Sequence, residues 1–287
     1  MKGIILILAL ISCNYLKSQN QEYKDKLQLI VDLKQFLKNE IHLSLGTDFY
    51  ETWDNKTTTN YLLYISSSQF VKSLNSHPFV YFGEDEKKAK LEKSKYDSLG
   101  YETLLYKTNN AISTKLSSSL LNFPSESILF IVIHEAVHQH LKGKSIPYII
   151  EESSCDLIAN YASIVFIKKQ NKSLYKKTLK QKKMNELFYK NINDAQRLAD
   201  LELSPHKDKI FHSADKKLQN LIKRGNEFHK DRFNYNVNNA FFVRYENYTK
   251  HYFALKEKFL ALQNFDFFIK YIEQMAERKP KIIDTIK

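Results

Sequence analysis

The chain has 287 residues, 43% hydrophobic and 13% aromatic, which is enough to bury a sizeable core and too apolar for a disordered protein. Six glycines and five prolines are few for a turn-rich all-β architecture and favour helix. Lys and Arg number 44 against 32 Asp and Glu, a net charge of +12, yet no recognition motif accompanies it and nucleic acid is not expected as a partner.

The first twenty residues, MKGIILILALISCNYLKSQN, set Lys2 before an apolar run from Ile4 to Ile11. That run is too short to cross a bilayer and reads as a bacterial-type export signal over residues 1–19. Leu10-Ile11-Ser12-Cys13 has the form of a lipobox, in which Cys13 would be lipidated and become the new first residue. The alternative is cleavage near Ser18-Gln19, which discards Cys13. The expectation is an exported protein of the cell envelope, held at the membrane by a lipid anchor or released as a soluble one. Cys155 is the other cysteine, so no internal disulfide framework is expected.

Residues 20–287 read as one α+β domain: a mixed α/β part over about 20–123, a central helix pair over 124–168, and a helical part over 169–287. Leu27, Ile30, Val31, Leu33 and Leu37 predict an amphipathic helix from Gln21 to Asn39. Tyr61 to Ile65 has strand character. FVYFG, then EDEKKAKLEKSKYDSLG closed by Gly100, then YETLLYK predict a β-α-β unit, and NNAISTKLSSSLLNFP a further strand or extended loop. A buried helix is expected from Pro124-Ser125 to Gly143, and a second after Pro147. The acid-free run from Lys168 to Lys183 reads as a solvated helix face, with Ile167, Leu174 and Leu179 as its core stripe. Contact with anionic headgroups or an acidic partner is the alternative.

The chemistry lies in ESILFIVIHEAVHQHLKG. His134, Glu135 and His138 form H-E-x-x-H, and on a helix positions i and i+4 share a face, so two imidazoles can bind one zinc ion. Zinc lowers the pKa of water, and Glu135, beside the first histidine, can take its proton during attack on a carbonyl. The apolar approach from Ile128 to Ile133 supplies a rigid, dry bed. The same two histidines could instead sit in a core, satisfied by hydrogen bonds. Catalytic zinc takes three protein ligands and an open position. Glu151, Glu152 and Asp156 follow on the second helix. Glu152 and Asp156 lie one turn apart, as suits a ligand and a carboxylate that orients a ligand histidine. Glu151 shares its face with Cys155, Ile158 and Ala162 and reads as packing. Cys155 itself reads as a small buried residue, and His140 as a surface one.

H-E-x-x-H followed by E-x-x-x-D resembles the gluzincin metallopeptidases, and four blocks in order are similar to a bacterial family of zinc aminopeptidases. They are VYFGEDEKKAK with LGYETLLY; AISTKL with LLNFPSESILFIVIHEAVHQ; IEESSCDLIA; and NNAFFVRYENYTKHYFAL. The chain departs from the family at Lys115-Leu116, at Glu151 where the family has asparagine, and by one added residue between His138 and the glutamate. The resemblance implies a gluzincin-like fold, one Zn2+ held by His134, His138 and Glu152, Asp156 behind a ligand histidine, Glu135 as general base, and a peptide substrate. Asn238, Asn239 and Tyr248 fall in the fourth block. Tyr248 could donate to an oxyanion or merely pack in the core. A zinc hydrolase of another amide or ester, and a non-catalytic envelope lipoprotein with a structural metal, are the competing readings.

Overall fold

The computed structural model describes residues 2–54, 59–69, 71, 73–74, 78–109, 115–168, 170–201, 207–233 and 235–277, with side chains described from residue 21 onward except at 54, 109, 199–201, 207, 227, 231, 276 and 277. The Cys13 side chain and the Ser113-Thr114 pair of the family block lie outside the described residues. No described helix is long and apolar enough to cross a membrane.

Helix α1 runs without a break from Lys2 to Asn39. Beyond residue 20 its apolar face, Ile30, Leu33, Phe36 and Leu37, is buried. Three strands follow, β2 (Thr59–Ser66), β3 (Phe79–Tyr81) and β4 (Glu102–Asn109), after a two-residue β1 (Trp53–Asp54). The sheet order is β3-β2-β4, with both outer strands antiparallel to β2. The expected β-α-β unit is therefore split: β3, α2 (Glu86–Ser98) and β4 follow one another along the chain, but β2 lies between the two strands. α2 is capped by Asp85, whose side chain accepts from the Lys88 amide, and closes at Gly100, whose φ of +81° is the left-handed turn that favours glycine. β2 is buried on both faces because alternate side chains serve different layers. Leu62 and Tyr64 join the main core, while Tyr61, Leu63 and Ile65 point the other way, toward α2.

β5 (Leu116–Ser117) pairs in parallel with β1 and leads through α3 (Ser118–Leu121) into α4 (Ser125–Leu141) and α5 (Tyr148–Ile167), which start after Pro124 and Pro147. α5 buries side chains all round its axis, Glu152 through Asn160 without interruption, as a helix at the centre of a domain must. It is enclosed by α4, α6 (Lys172–Leu201), α9 (Asn239–Thr249) and α10 (Tyr252–Leu262). α7 (Lys207–Arg224), α8 (Glu227–Phe233) and α11 (Phe265–Glu277) complete a mostly helical α+β molecule with one continuous core from Ile30 to Ile272.

The stripe expected on the lysine-rich segment is corrected in part. Ile167 is buried and Leu174 packs against the core, but Leu179 is exposed. Five residues separate it from Leu174, about 140° around the helix, so the inward positions fall instead at Thr178, Gln181, Asn185 and Phe188.

His229 on α8 is 1% exposed, and its Nε2 has no hydrogen-bond partner. Its Nδ1 lies 2.7 Å from Asn226 Oδ1, and its ring stacks near Phe188 and Phe233. Burial, reinforced by Arg232, pushes its pKa from 6.5 down to about 4. A buried histidine held neutral contributes stability that is full above 6.5 and is lost as pH falls through about 4. Urea unfolding of His229→Phe beside the parent should therefore show the parent losing about 2–3 kcal/mol more between about pH 7 and 4.5. Equal losses in the two proteins would remove His229 as the acid-sensitive group.

Candidate metal centre

α4 and α5 lie against one another, and the sequence-predicted residues meet at their contact. His134 and His138, one turn apart on α4, bring their Nε2 atoms to 3.1 Å. Glu152 reaches both from α5: Oε2 is 3.4 Å from His134 Nε2, and Oε1 is 3.5 Å from His138 Nε2. Each histidine has a second carboxylate behind it. Asp156 Oδ1 lies 2.8 Å from His134 Nδ1, within ion-pair reach although the ring N–H is not aimed squarely at it. Glu151 Oε1 lies 2.7 Å from His138 Nδ1. The expectation for Asp156 thus has its geometry. That for Glu151 is corrected: it is not a packing residue but the carboxylate at the back of the second histidine. Helical advance takes Glu151 away from Glu152's direction, and that is the side on which His138 turns its Nδ1.

A carboxylate beside Nδ1 keeps the ring proton there and leaves the Nε2 lone pair free. Both Nε2 lone pairs, 3.1 Å apart, then face one another and Glu152, whose Oε2 is buried without a hydrogen-bond partner. Acceptors converging without a donor make a site for positive charge. The titration behaviour agrees. Burial alone would depress His134, but Asp156 and Glu152 outweigh it and lift the imidazole to about 9. His138 is likewise raised against the effect of burial, by the Glu151 and Glu152 carboxylates. Burial would raise Glu152, but the two histidines hold its carboxyl well below the usual range.

His134, His138 and Cys155 form a group able to hold a metal ion, with one ligand atom of each within 4.8 Å of the others. Cys155 is fully buried, as expected, yet it contacts His138. Burial pushes its thiol up to about 12, so without a metal beside it the sulfur keeps its proton.

Asp156 is itself anchored. Arg232 Nη2 of α8 donates to its Oδ2 at 2.8 Å, and the Tyr189 hydroxyl of α6 donates to the same oxygen. Burial would raise the Asp156 carboxyl, but Arg232, then His134 and Tyr189, hold it down. Neither Arg232 nor Tyr189 is visible from the metal motif, since they lie 76 and 33 residues further along the chain.

The centre opens on a cavity of about 1240 Å³. Glu135 lines it beside His134, its pKa raised by burial. Tyr248 also lines it, its ring 6.5 Å from that of His134. Burial and then Glu152 raise the Tyr248 phenol far above its ordinary value, so it remains a donor. Tyr148 was missed. It lies one turn before Glu152 on α5, and burial and then that carboxylate keep it protonated too. Its i, i+4 spacing to Glu152 was the available signal.

Asn238 and Asn239 belong to the scaffold. Asn238 caps α9 by accepting from the Phe241 amide and donates to Thr103 O, and Asn239 donates to Ser67 O at 2.6 Å. His140 is corrected from a surface residue to a tether: its Nδ1 accepts from the Ser44 amide at 2.9 Å, and its Nε2 meets Glu273 of α11 at 2.9 Å. The segment after α1 and α11 cover that side of α4, which the local sequence of α4 does not reveal. Compared with family models, curated proteins and solved structures, the chain finds no match.

Proposed function

We propose that the protein is a zinc-dependent peptidase of gluzincin type, with His134, His138 and Glu152 as ligands and Glu135 as general base. The observation that carries this reading is the convergence of the two imidazole Nε2 atoms and the Glu152 carboxylate. A tetrahedral zinc ion with nitrogen and oxygen ligands at about 2.0–2.2 Å sets them about 3.3–3.6 Å apart. The two Nε2 atoms are 3.1 Å apart, slightly closer than that, and each faces its own Glu152 oxygen, Oε2 at 3.4 Å from His134 and Oε1 at 3.5 Å from His138. The orphaned Glu152 Oε2 fits the same assignment, as a buried carboxylate oxygen with a cation to meet.

Zinc, when bound, supplies Lewis acidity that polarises a carbonyl and makes water a better nucleophile. The chain's own groups do the rest. Glu135 accepts a proton from water at its carboxylate and returns it to the departing amine, and burial brings its pKa closer to a working pH. Tyr248 and Tyr148 keep their protons and can donate to an oxygen that gains charge. Asp156 and Glu151 fix the two rings, and Arg232 with Tyr189 fixes Asp156. A merely structural metal would not require Glu135 on the cavity wall.

The finer aminopeptidase reading needs a carboxylate for the substrate's free amine. The acids among the described lining residues are Glu135, Glu151 and Glu152, and each already has a role at the centre. A panel of fluorogenic peptides decides it. Cleavage restricted to free-amine substrates supports an aminopeptidase, cleavage of blocked peptides an endopeptidase, and cleavage of neither removes the peptidase reading.

Export with a lipid anchor at Cys13 belongs to the same proposal. Cys13→Ser should abolish fatty-acid labelling and release the protein from membranes. A wild-type protein that is soluble and begins near Asn20 would overturn the anchor and leave export standing.

A further inference from the structure

Six cations line the cavity: Lys107, Lys115, Lys142, Lys230, Arg232 and Arg244. The two arginines differ in kind. Arg232 has a carboxylate, Asp156, at 2.8 Å. Arg244 is 3% exposed, and no carboxylate contacts it among the described residues. Its guanidinium carbon lies 3.6 Å from the centre of the Tyr106 ring and 4.3 Å from that of Tyr245. Its Nη1 reaches Arg232 O only at 3.5 Å, the neutral Tyr64 hydroxyl is its other polar neighbour, and its Nε has no hydrogen-bond partner. A buried charge without a counter-ion is costly, and aromatic faces offset only part of that. Arginine's planar fork matches a carboxylate, which it can grip with two parallel hydrogen bonds.

Its place on α9 gives the charge a use. Arg244 and Tyr248 are four residues apart and share one helical face, about 6 Å along the axis. Tyr248 is the residue whose ring lies beside His134. An anion held at Arg244 would leave the next peptide group of the same molecule near Tyr248 and the metal centre.

We propose that Arg244 anchors a carboxylate of the substrate, so that the cavity selects peptides carrying a negative charge close to the bond to be cut. This rests on the peptidase reading for the cutting, but not for the binding. The carboxylate is either a free C-terminus or an Asp or Glu side chain.

The test uses the full chain, zinc-loaded, as the Glu135→Gln variant, so that binding is measured without turnover. Three probes are titrated calorimetrically: N-acetyl-Ala-Ala-Ala with a free carboxylate, the same peptide as its amide, and the amide of N-acetyl-Ala-Glu-Ala. At least one acidic probe should bind about tenfold or more tighter than the neutral amide, the size of one charge-assisted hydrogen bond. Which one does so identifies the source of the charge. Adding Arg244→Gln should bring the acid's affinity down to that of the amide. Equal binding of all three probes, or no binding of any, overturns the proposal, as does a preference that survives Arg244→Gln. Should that variant fail to fold, Arg244→Lys keeps the charge without the fork and should narrow the preference; an unchanged preference overturns the assignment. Parent protein that cleaves no peptide while the preference holds would sink the peptidase reading and leave the anchor in place.

Discussion

Glu135→Gln should keep its zinc and lose at least about a hundredfold in turnover. The substitution preserves size and hydrogen bonding and removes only the capacity to take a proton. The side chain is not among the groups that meet where His134, His138 and Glu152 converge, so metal content should stay at that of the parent. Glu135 lines the cavity next to His134, with a carboxyl that burial has raised, which is the environment of a general base and not of an ion-pair partner. The measurement is kcat on whichever fluorogen the parent cleaves, beside zinc content by elemental analysis. Unchanged turnover would sink the mechanism. Lost zinc would mean that Glu135 serves the metal directly.

The third ligand gives the other large effect. Glu152→Ala should lose its zinc on dialysis, because it removes the only carboxylate among the described residues that reaches both Nε2 atoms and leaves two histidines. Asp156→Asn and Glu151→Ala remove groups that act through the rings, so each should weaken zinc about 10- to 100-fold while still filling the site at high zinc. Cys155→Ala should keep its metal, since the Glu152 carboxylate already faces both Nε2 atoms. Zinc lost from the Cys155 variant and retained by the Glu152 variant would hand the third position to sulfur.

Periodicity was a good guide wherever a single element decides the outcome. The two prolines and the apolar density between them give α4 and α5, and the i, i+4 rule puts His134 with His138 and Glu152 with Asp156. It failed where a partner comes from elsewhere in the chain. Glu151 looks like a packing residue on the α5 helical wheel, and only the angle at which α4 meets α5 brings it to His138 Nδ1. Arg232 sits on a seven-residue helix with no pattern of its own, and its part is set by Asp156, 76 residues earlier. Leu179 misled because α6 carries lysines around much of its surface, so no clean stripe marks which leucine turns inward. The split of the β-α-β unit was equally out of reach, since strand spacing along a chain says nothing of a third strand slipping between two others.

The C-terminal end of α4 is fastened by groups from distant parts of the sequence. His140 joins Glu273, Lys144 pairs with the same carboxylate, and His42 meets Asp266 at 2.8 Å across 224 residues. Closures over such separations form late in folding, because a long loop must be ordered before they contribute. A chain still lacking α11 would already contain His134, His138 and Glu152, yet lack the acid that fastens the end of the helix carrying the two histidines. Removing α11 should therefore loosen the candidate centre from outside it, through the end of α4.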